Sequence, residues 1–119
     1  MKDYRKLMVW QKAHRVVLLV FKITRAFPRE ELFNLTSQLR RASTSVPTNI
    51  AEGCGRFTQR DFAKFLQDAF ASAQEVEYVS FLAFELEYLK KENYLRIDKE
   101  VNEVKAMLIS LLQKIRKEL

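Results

Sequence analysis

The sequence predicts an all-α fold, an antiparallel up-down-up-down four-helix bundle. Three observations predict it. Only 2 Gly and 2 Pro occur in 119 residues, too few for the many turns of an all-β chain. Four stretches repeat their apolar residues at helical spacing. The breaks between them are short, so consecutive helices become antiparallel neighbours. With 48% hydrophobic residues in a chain of 119, one packed core and one domain over residues 1–119 are expected.

The first helix is expected from Val9 to Ala26, ending before Phe27-Pro28, because a proline disfavours the helical region in its predecessor. Trp10, Ala13, Val16, Val17, Val20, Phe21 and Ile23 fall on one side. Arg15, Lys22, Arg25 and Arg29 fall on the other, with Lys12 at its edge and Leu18 and Leu19 interrupting. The second helix is expected from about Glu31 to Gly53, with Leu35, Leu39, Ala42, Val46, Ile50 and Gly53 as a narrow stripe. Pro47 lies inside it and predicts a kink rather than a stop, since the stripe stays in phase, and Ser43, Thr44 and Ser45 are placed to satisfy freed carbonyls. Gly53-Cys54-Gly55 is the strongest break and suits a left-handed cap.

Thr58 reads as the N-cap of the third helix, with Asp61 as its capping-box partner. That helix is expected from Gln59 to about Lys91, with Phe62, Phe65, Leu66, Ala69, Ala73, Val76 and Ala83 on its core side. A second stripe, Ala71, Tyr78, Leu82 and Leu89, lies opposite. The fourth helix is expected to start at Asp98 and run to the C-terminus, with Ile97, Val101, Val104, Leu108, Leu111, Leu112, Ile115 and Leu119 on one face. A helix apolar on both sides needs cover on both, and a lone four-helix domain leaves each helix an outer face. Tyr78, Leu82 and Leu89, with Leu18 as a neighbour, are therefore the expected self-association surface.

No residue pattern points to catalysis. The single Cys excludes a disulfide scaffold and multi-cysteine zinc sites, and the single His excludes His-rich metal centres. His14 has no acidic residue within a turn. Cys54, read as an exposed loop thiol near Arg56, has no His or second Cys nearby in sequence. Glu75, Glu77, Glu85 and Glu87 lack the Glu-x-x-His spacing of di-iron bundles, and no nucleotide-binding motif occurs. A non-enzyme with no cofactor and no metal is expected. The charged N-terminus lacks a leader-like apolar segment, and the longest uniformly apolar run, Val16–Phe21, is far too short for a membrane span. A cytoplasmic chain with no membrane partner is the expectation.

The charge is uneven. Net charge is +6; residues 1–64 carry 13 Lys/Arg and 5 Asp/Glu, and residues 65–119 carry 8 and 10. An anionic partner would dock on the first half. Lys12, Arg15, Lys22, Arg25 and Arg29 on the first helix, Arg40 and Arg41 on the second, and Arg56, Arg60 and Lys64 at the start of the third are the candidate nucleic-acid contacts. They would hold phosphates, of RNA before DNA, without reading bases. Gly53-Cys54-Gly55-Arg56 also feeds a helix N-terminus, although a plain turn is the simpler reading. The alternative is a protein-interaction scaffold or accessory subunit meeting an acidic protein.

Val9-Trp10-Gln11-Lys12-Ala13, Phe27-Pro28, Glu31 to Ala42, Ser45-Val46-Pro47-Thr48-Asn49-Ile50-Ala51-Glu52-Gly53 and the Phe62–Phe70 run together resemble a known family. It comprises four-helix bundle proteins encoded in intervening sequences of bacterial 23S ribosomal RNA genes, and the likeness runs from about Val9 to Leu95. The chain is also similar to accessory variability proteins of diversity-generating retroelements. The resemblance implies a ring-like homopentamer and, from the retroelement proteins, binding to nucleic acid and a reverse transcriptase. It marks Pro47, Asn49, Glu52 and Gly53 as motif positions, with Asn49, Arg41 and Glu52 expected in hydrogen bonds between helices or subunits.

Overall fold

A computed structural model of the chain describes residues 2–119. The described residues form four long helices and no strand. They are α1 (Met8–Thr24), α2 (Ser37–Cys54), α3 (Gln59–Glu85) and α4 (Lys91–Lys117). Short 3₁₀ turns at Tyr4–Lys6 and Arg29–Glu31 precede α1 and α2, and a π-helical turn, Leu32–Thr36, leads directly into α2. α1 packs against α2 and α4, and α3 packs against the same two, around a single core. The molecule measures 46 × 22 × 20 Å, close to the length of its longest helices at 1.5 Å per residue.

The apolar stripes read from the sequence supply that core. Val16 and Val20 of α1, Leu39, Val46 and Ile50 of α2, Phe62, Leu66, Ala69, Ala73 and Val76 of α3, and Ile97, Val101, Val104, Leu108 and Ile115 of α4 are all buried. Alanines on the inner side of α3 let its neighbours approach closely. Gly53 marks the closest approach: a Cβ there would lie 2.9 Å from Phe65 Cβ and 3.0 Å from the Phe62 ring. Close packing, and not a left-handed cap, is what this position requires, since no glycine adopts positive φ.

α2 runs unbroken through Pro47. Ser43 and Thr44 hydroxyls donate to the Arg40 carbonyl, and Thr48 to that of Thr44. Thr58 caps α3 as expected, accepting from the Asp61 amide at 3.1 Å. Lys2 N–H donates to the Cys54 carbonyl and ties the N-terminal segment to the end of α2.

Three boundaries differ from expectation. α2 begins at Ser37 because Glu30 and Glu31 belong to a 3₁₀ turn and the next five residues wind as a π turn. The Glu31 carboxylate accepts from Asn34 Nδ2 at 2.9 Å and from the Tyr88 hydroxyl at 3.4 Å, joining the α1–α2 and α3–α4 connections. α3 stops at Glu85 and does not continue to Lys91. Glu87 takes φ 66° there, and Tyr88 N–H closes on the Ala83 carbonyl while Glu87 N–H closes on that of Phe84; this is a Schellman stop. α4 therefore starts at Lys91, a turn and more before Asp98.

Candidate nucleic-acid interface

Arg15, Lys22 and Arg25 recur at helical spacing on the outer side of α1, and all three are exposed, as is Arg29 in the turn that follows. Leu18, 57% exposed, sits among them. Lys12 departs from this group. It lies at the α1–α4 seam, where its ammonium meets Glu103 and lies 2.9 Å from Glu100. Those carboxylates, Glu103 foremost, raise the Lys12 pKa, and Lys12 holds that of Glu103 down. Lys12 is thus engaged within the fold and is corrected from a free phosphate contact to an interhelical ion pair. Among the described residues, the other ion pair joins Lys105 to Glu77; none involves an arginine.

Arg40 is half-buried and built into the α1–α2 seam. Its Nε–H donates to Thr24 Oγ1 at 2.8 Å, the Thr24 hydroxyl donates to the Val20 carbonyl, and the guanidinium lies 4.9 Å from the Phe21 ring centroid. Arg41 is exposed on the outer side of α2. Arg56, Arg60 and Lys64 are also exposed, with the Arg56 guanidinium 4.7 Å from the Phe65 ring centroid. The candidates do not form one patch. Lys22, Arg25, Arg29 and Arg40 gather where α1 gives way to α2, whereas Arg56, Arg60 and Lys64 follow α2 and open α3, across the core from α1.

The expected self-association surface also changes. Tyr78 is 61% exposed, but Leu82 is half-buried against the core and Leu89 is only 3% exposed. Leu89 is corrected to a core residue, because the stop at Glu87 folds it inward off the helix. Leu18 is on α1, which packs on α2 and α4, so within one copy it lies away from the α3 stripe. Phe81 and Leu86, which the sequence places on the sides between the two stripes, are exposed, as is Leu95 of α4.

Of the motif residues, Asn49 acts through a relay. Its Nδ2 donates to the Ser45 carbonyl and hydroxyl, and Ser72 of α3 donates to that same hydroxyl at 2.9 Å. Arg41 and Glu52 are exposed. His14 stacks on Trp10 at 5.0 Å, above a shallow groove that Pro47 and Glu52 also line. Cys54 is the buried last residue of α2, and burial raises its thiol pKa; the reading of an exposed loop thiol is corrected. Among the described residues, no three His, Cys, Asp or Glu side chains gather as metal ligands, and no helix is long and apolar enough to cross a membrane.

Sequence reasoning passed over Phe33 and Phe57, both more than 90% exposed, since Phe33 falls outside the apolar stripe of the expected second helix and Phe57 lies in the break before the third. It also passed over Thr24 and Thr36, hydroxyls buried at the arginine-rich end.

No curated protein matches the sequence. A crystal structure of a protein with unknown function from the S23 ribosomal protein family of Bacteroides thetaiotaomicron VPI-5482 is similar, with 27% identity and a TM-score of 0.82. The match covers 88% of this chain and 95% of that one. The sequence profile described as 23S rRNA-intervening sequence protein matches residues 5–110. With the same segments forming four helices around one core, the chain belongs to the 23S rRNA-intervening sequence protein family.

Proposed function

We propose that the chain is a non-catalytic, self-associating bundle that holds RNA by its phosphates on the basic side of α1 and α2. One observation carries this reading: Arg15, Lys22, Arg25 and Arg29 stand exposed with no carboxylate bound to them, while Lys12 and Lys105, nearer the acids of the second half, are neutralised within the fold. Cations free of internal partners displace counterions from a phosphate backbone. The family's description points to RNA from 23S rRNA intervening sequences as the first ligand to try.

The antiparallel up-down-up-down order is supported by the contacts. Thr24 near the end of α1 meets Arg40 near the start of α2, Gly53 at the end of α2 meets Phe62 and Phe65 at the start of α3, and Glu77 meets Lys105 while Phe84 stacks on Tyr94. Self-association through Tyr78, Phe81 and Leu86 would repeat the basic side around an assembly and convert weak contacts into avidity; the resemblance implies a pentamer. Fluorescence anisotropy with structured RNA tests the reading. Arg15→Glu with Lys22→Glu should abolish binding at low salt, and wild-type binding should fall steeply with salt. No binding at low salt, or an unaffected double variant, overturns it.

Phe33 and Phe57 favour a second reading, a protein-docking scaffold, because apolar rings at 93% and 91% exposure fit a protein partner. Pull-downs from nuclease-treated extracts separate the two. An acidic protein retained after nuclease supports the scaffold, and loss of all partners supports RNA.

A further inference from the structure

Where α1 turns into α2, the side chains of Thr24, Arg25, Arg29, Thr36 and Arg40 line an open concavity of about 360 Å³. Its chemistry is one-signed. The three arginines have no carboxylate partner among the described residues; of the two acids in the turn, Glu31 is taken up by Asn34 and Tyr88, and Glu30 is exposed with no ion pair to Arg29. Arg40 is fixed before any ligand arrives. Thr24 accepts from its Nε, the Phe21 ring lies against its guanidinium, and the Nη groups remain as donors. Thr36 supplies an independent sign of a missing ligand. It is 98% buried, and its hydroxyl is the one buried side-chain polar atom among the described residues with no hydrogen-bond partner. Buried hydroxyls nearly always have one; Thr36 lines the concavity, but its hydroxyl is closed off from solvent, so a ligand here would reach it through a small shift of the Leu32–Thr36 turn.

We propose that this concavity binds a phosphate monoester, either free inorganic phosphate or the terminal phosphate of a nucleic-acid chain. A pre-set guanidinium fork with two further arginines matches a compact dianion. The recess favours a terminal group over a continuous strand, which has to leave in both directions. The proposal deepens the RNA-binding reading by naming a ligand group, yet phosphate alone can test it.

The experiment is an NMR titration of the full chain with inorganic phosphate, read at arginine Nε–H and backbone amide signals. Binding of matched oligonucleotides carrying a 5′-phosphate or a 5′-hydroxyl is measured beside it. Saturable shifts should be confined to Arg25, Arg29, Arg40 and the Thr24–Arg40 segment. Arg29→Ala and Thr36→Val should each weaken phosphate, Arg29→Ala by roughly tenfold or more, as expected for a lost charged hydrogen bond. Thr36→Val should at the same time raise thermal stability by removing the orphan hydroxyl. A preference for the 5′-phosphate assigns the ligand to a nucleic-acid end; phosphate binding without that preference assigns it to the free ion. Absence of saturable phosphate shifts, or unchanged affinity in both Arg29→Ala and Thr36→Val, overturns the proposal. Arg15→Glu with Lys22→Glu keeps the two readings apart: loss of RNA binding with phosphate shifts intact leaves both standing. Phosphate shifts without RNA binding in the wild type remove only the first.

Discussion

At the scale of single residues, Gly53 and Cys54 sit side by side and make opposite demands. Gly53→Ala would put a methyl group 2.9 Å from Phe65 Cβ, an atom that cannot move without its helix, and 3.0 Å from the buried Phe62 ring. The gain in helix propensity, about 1 kcal/mol, is smaller than the upper part of the range of about 1–3 kcal/mol typical of overpacking. A lower midpoint in thermal unfolding is the expected outcome, with α2 and α3 displaced. Cys54 needs nothing from its neighbours except exclusion of water. Burial is the main reason its thiol pKa is raised, with Lys2 opposing. The thiolate is the reactive form, so a thiol reagent should react slowly with the folded chain at neutral pH and faster only above the ordinary thiol range. Added denaturant should restore rapid reaction at once. Fast reaction of the folded chain at pH 7 would show the thiol to be accessible.

At the scale of the elements, the stripes of all four helices are legible in the sequence, but three of their ends are not: the start of α2, the end of α3 and the start of α4. The stop after α3 occurs at Glu87, a residue with a Cβ held at φ 66°, where a glycine would have announced it. Nothing in Glu85-Leu86-Glu87-Tyr88-Leu89 breaks a helical pattern, so the stripe was extended to Leu89, which the turn in fact folds into the core. The start of α4 is equally silent, because Lys90 offers no capping side chain, while Asp98 looks like a cap and lies inside the helix. Thr58, with a side chain that does cap, was read correctly. Glu87→Gly should stabilise the chain. The left-handed conformation costs a residue with a Cβ roughly 1–2 kcal/mol, more than the roughly 0.5–1 kcal/mol entropy cost of glycine. A raised unfolding midpoint with unchanged helix content is the measurement to make.

The α1–α4 seam belongs to this scale too. Lys12 was assigned to the basic side from its place on a helical wheel, which carries no information about the facing helix; Glu100 and Glu103 occupy it. Replacing both with glutamine should release Lys12. Stability should change little, as ion pairs that keep part of their hydration contribute about 0–1 kcal/mol. RNA affinity at low salt should rise, and the dependence on salt should steepen by about one counterion. An unchanged salt slope would mean that Lys12 lies outside the bound footprint.

For the molecule as a whole, the charge asymmetry and the excess of apolar surface act together. The fold buries the second stripe of α3 less completely than its first: Ala71 and Tyr78 are exposed as the sequence placed them, whereas Leu82 is half-buried and Leu89 is in the core. Tyr78, Phe81 and Leu86 are 61%, 43% and 48% exposed, and Leu95 of α4 is 51% exposed beside Tyr94, which lies 6.1 Å from Phe81. Large apolar side chains left exposed on α3 and at its end, with Glu75, Glu85 and Glu87 interspersed along the same stretch, are the kind of surface that a chain in water covers with a partner. A second copy satisfies this requirement without introducing a new species, and its basic first half complements those acids. Light scattering of the wild type should therefore give a mass well above 14.1 kDa. Tyr78→Glu with Leu86→Glu should give a smaller species whose circular dichroism remains helical, since both side chains point away from the core. The same variant should bind RNA more weakly although every arginine is retained, because each copy then contributes its cations alone. A wild type already at monomer mass would detach the basic side from any assembly. RNA binding would then have to arise within one subunit, from two groups of arginines at opposite ends of a rod 46 Å long.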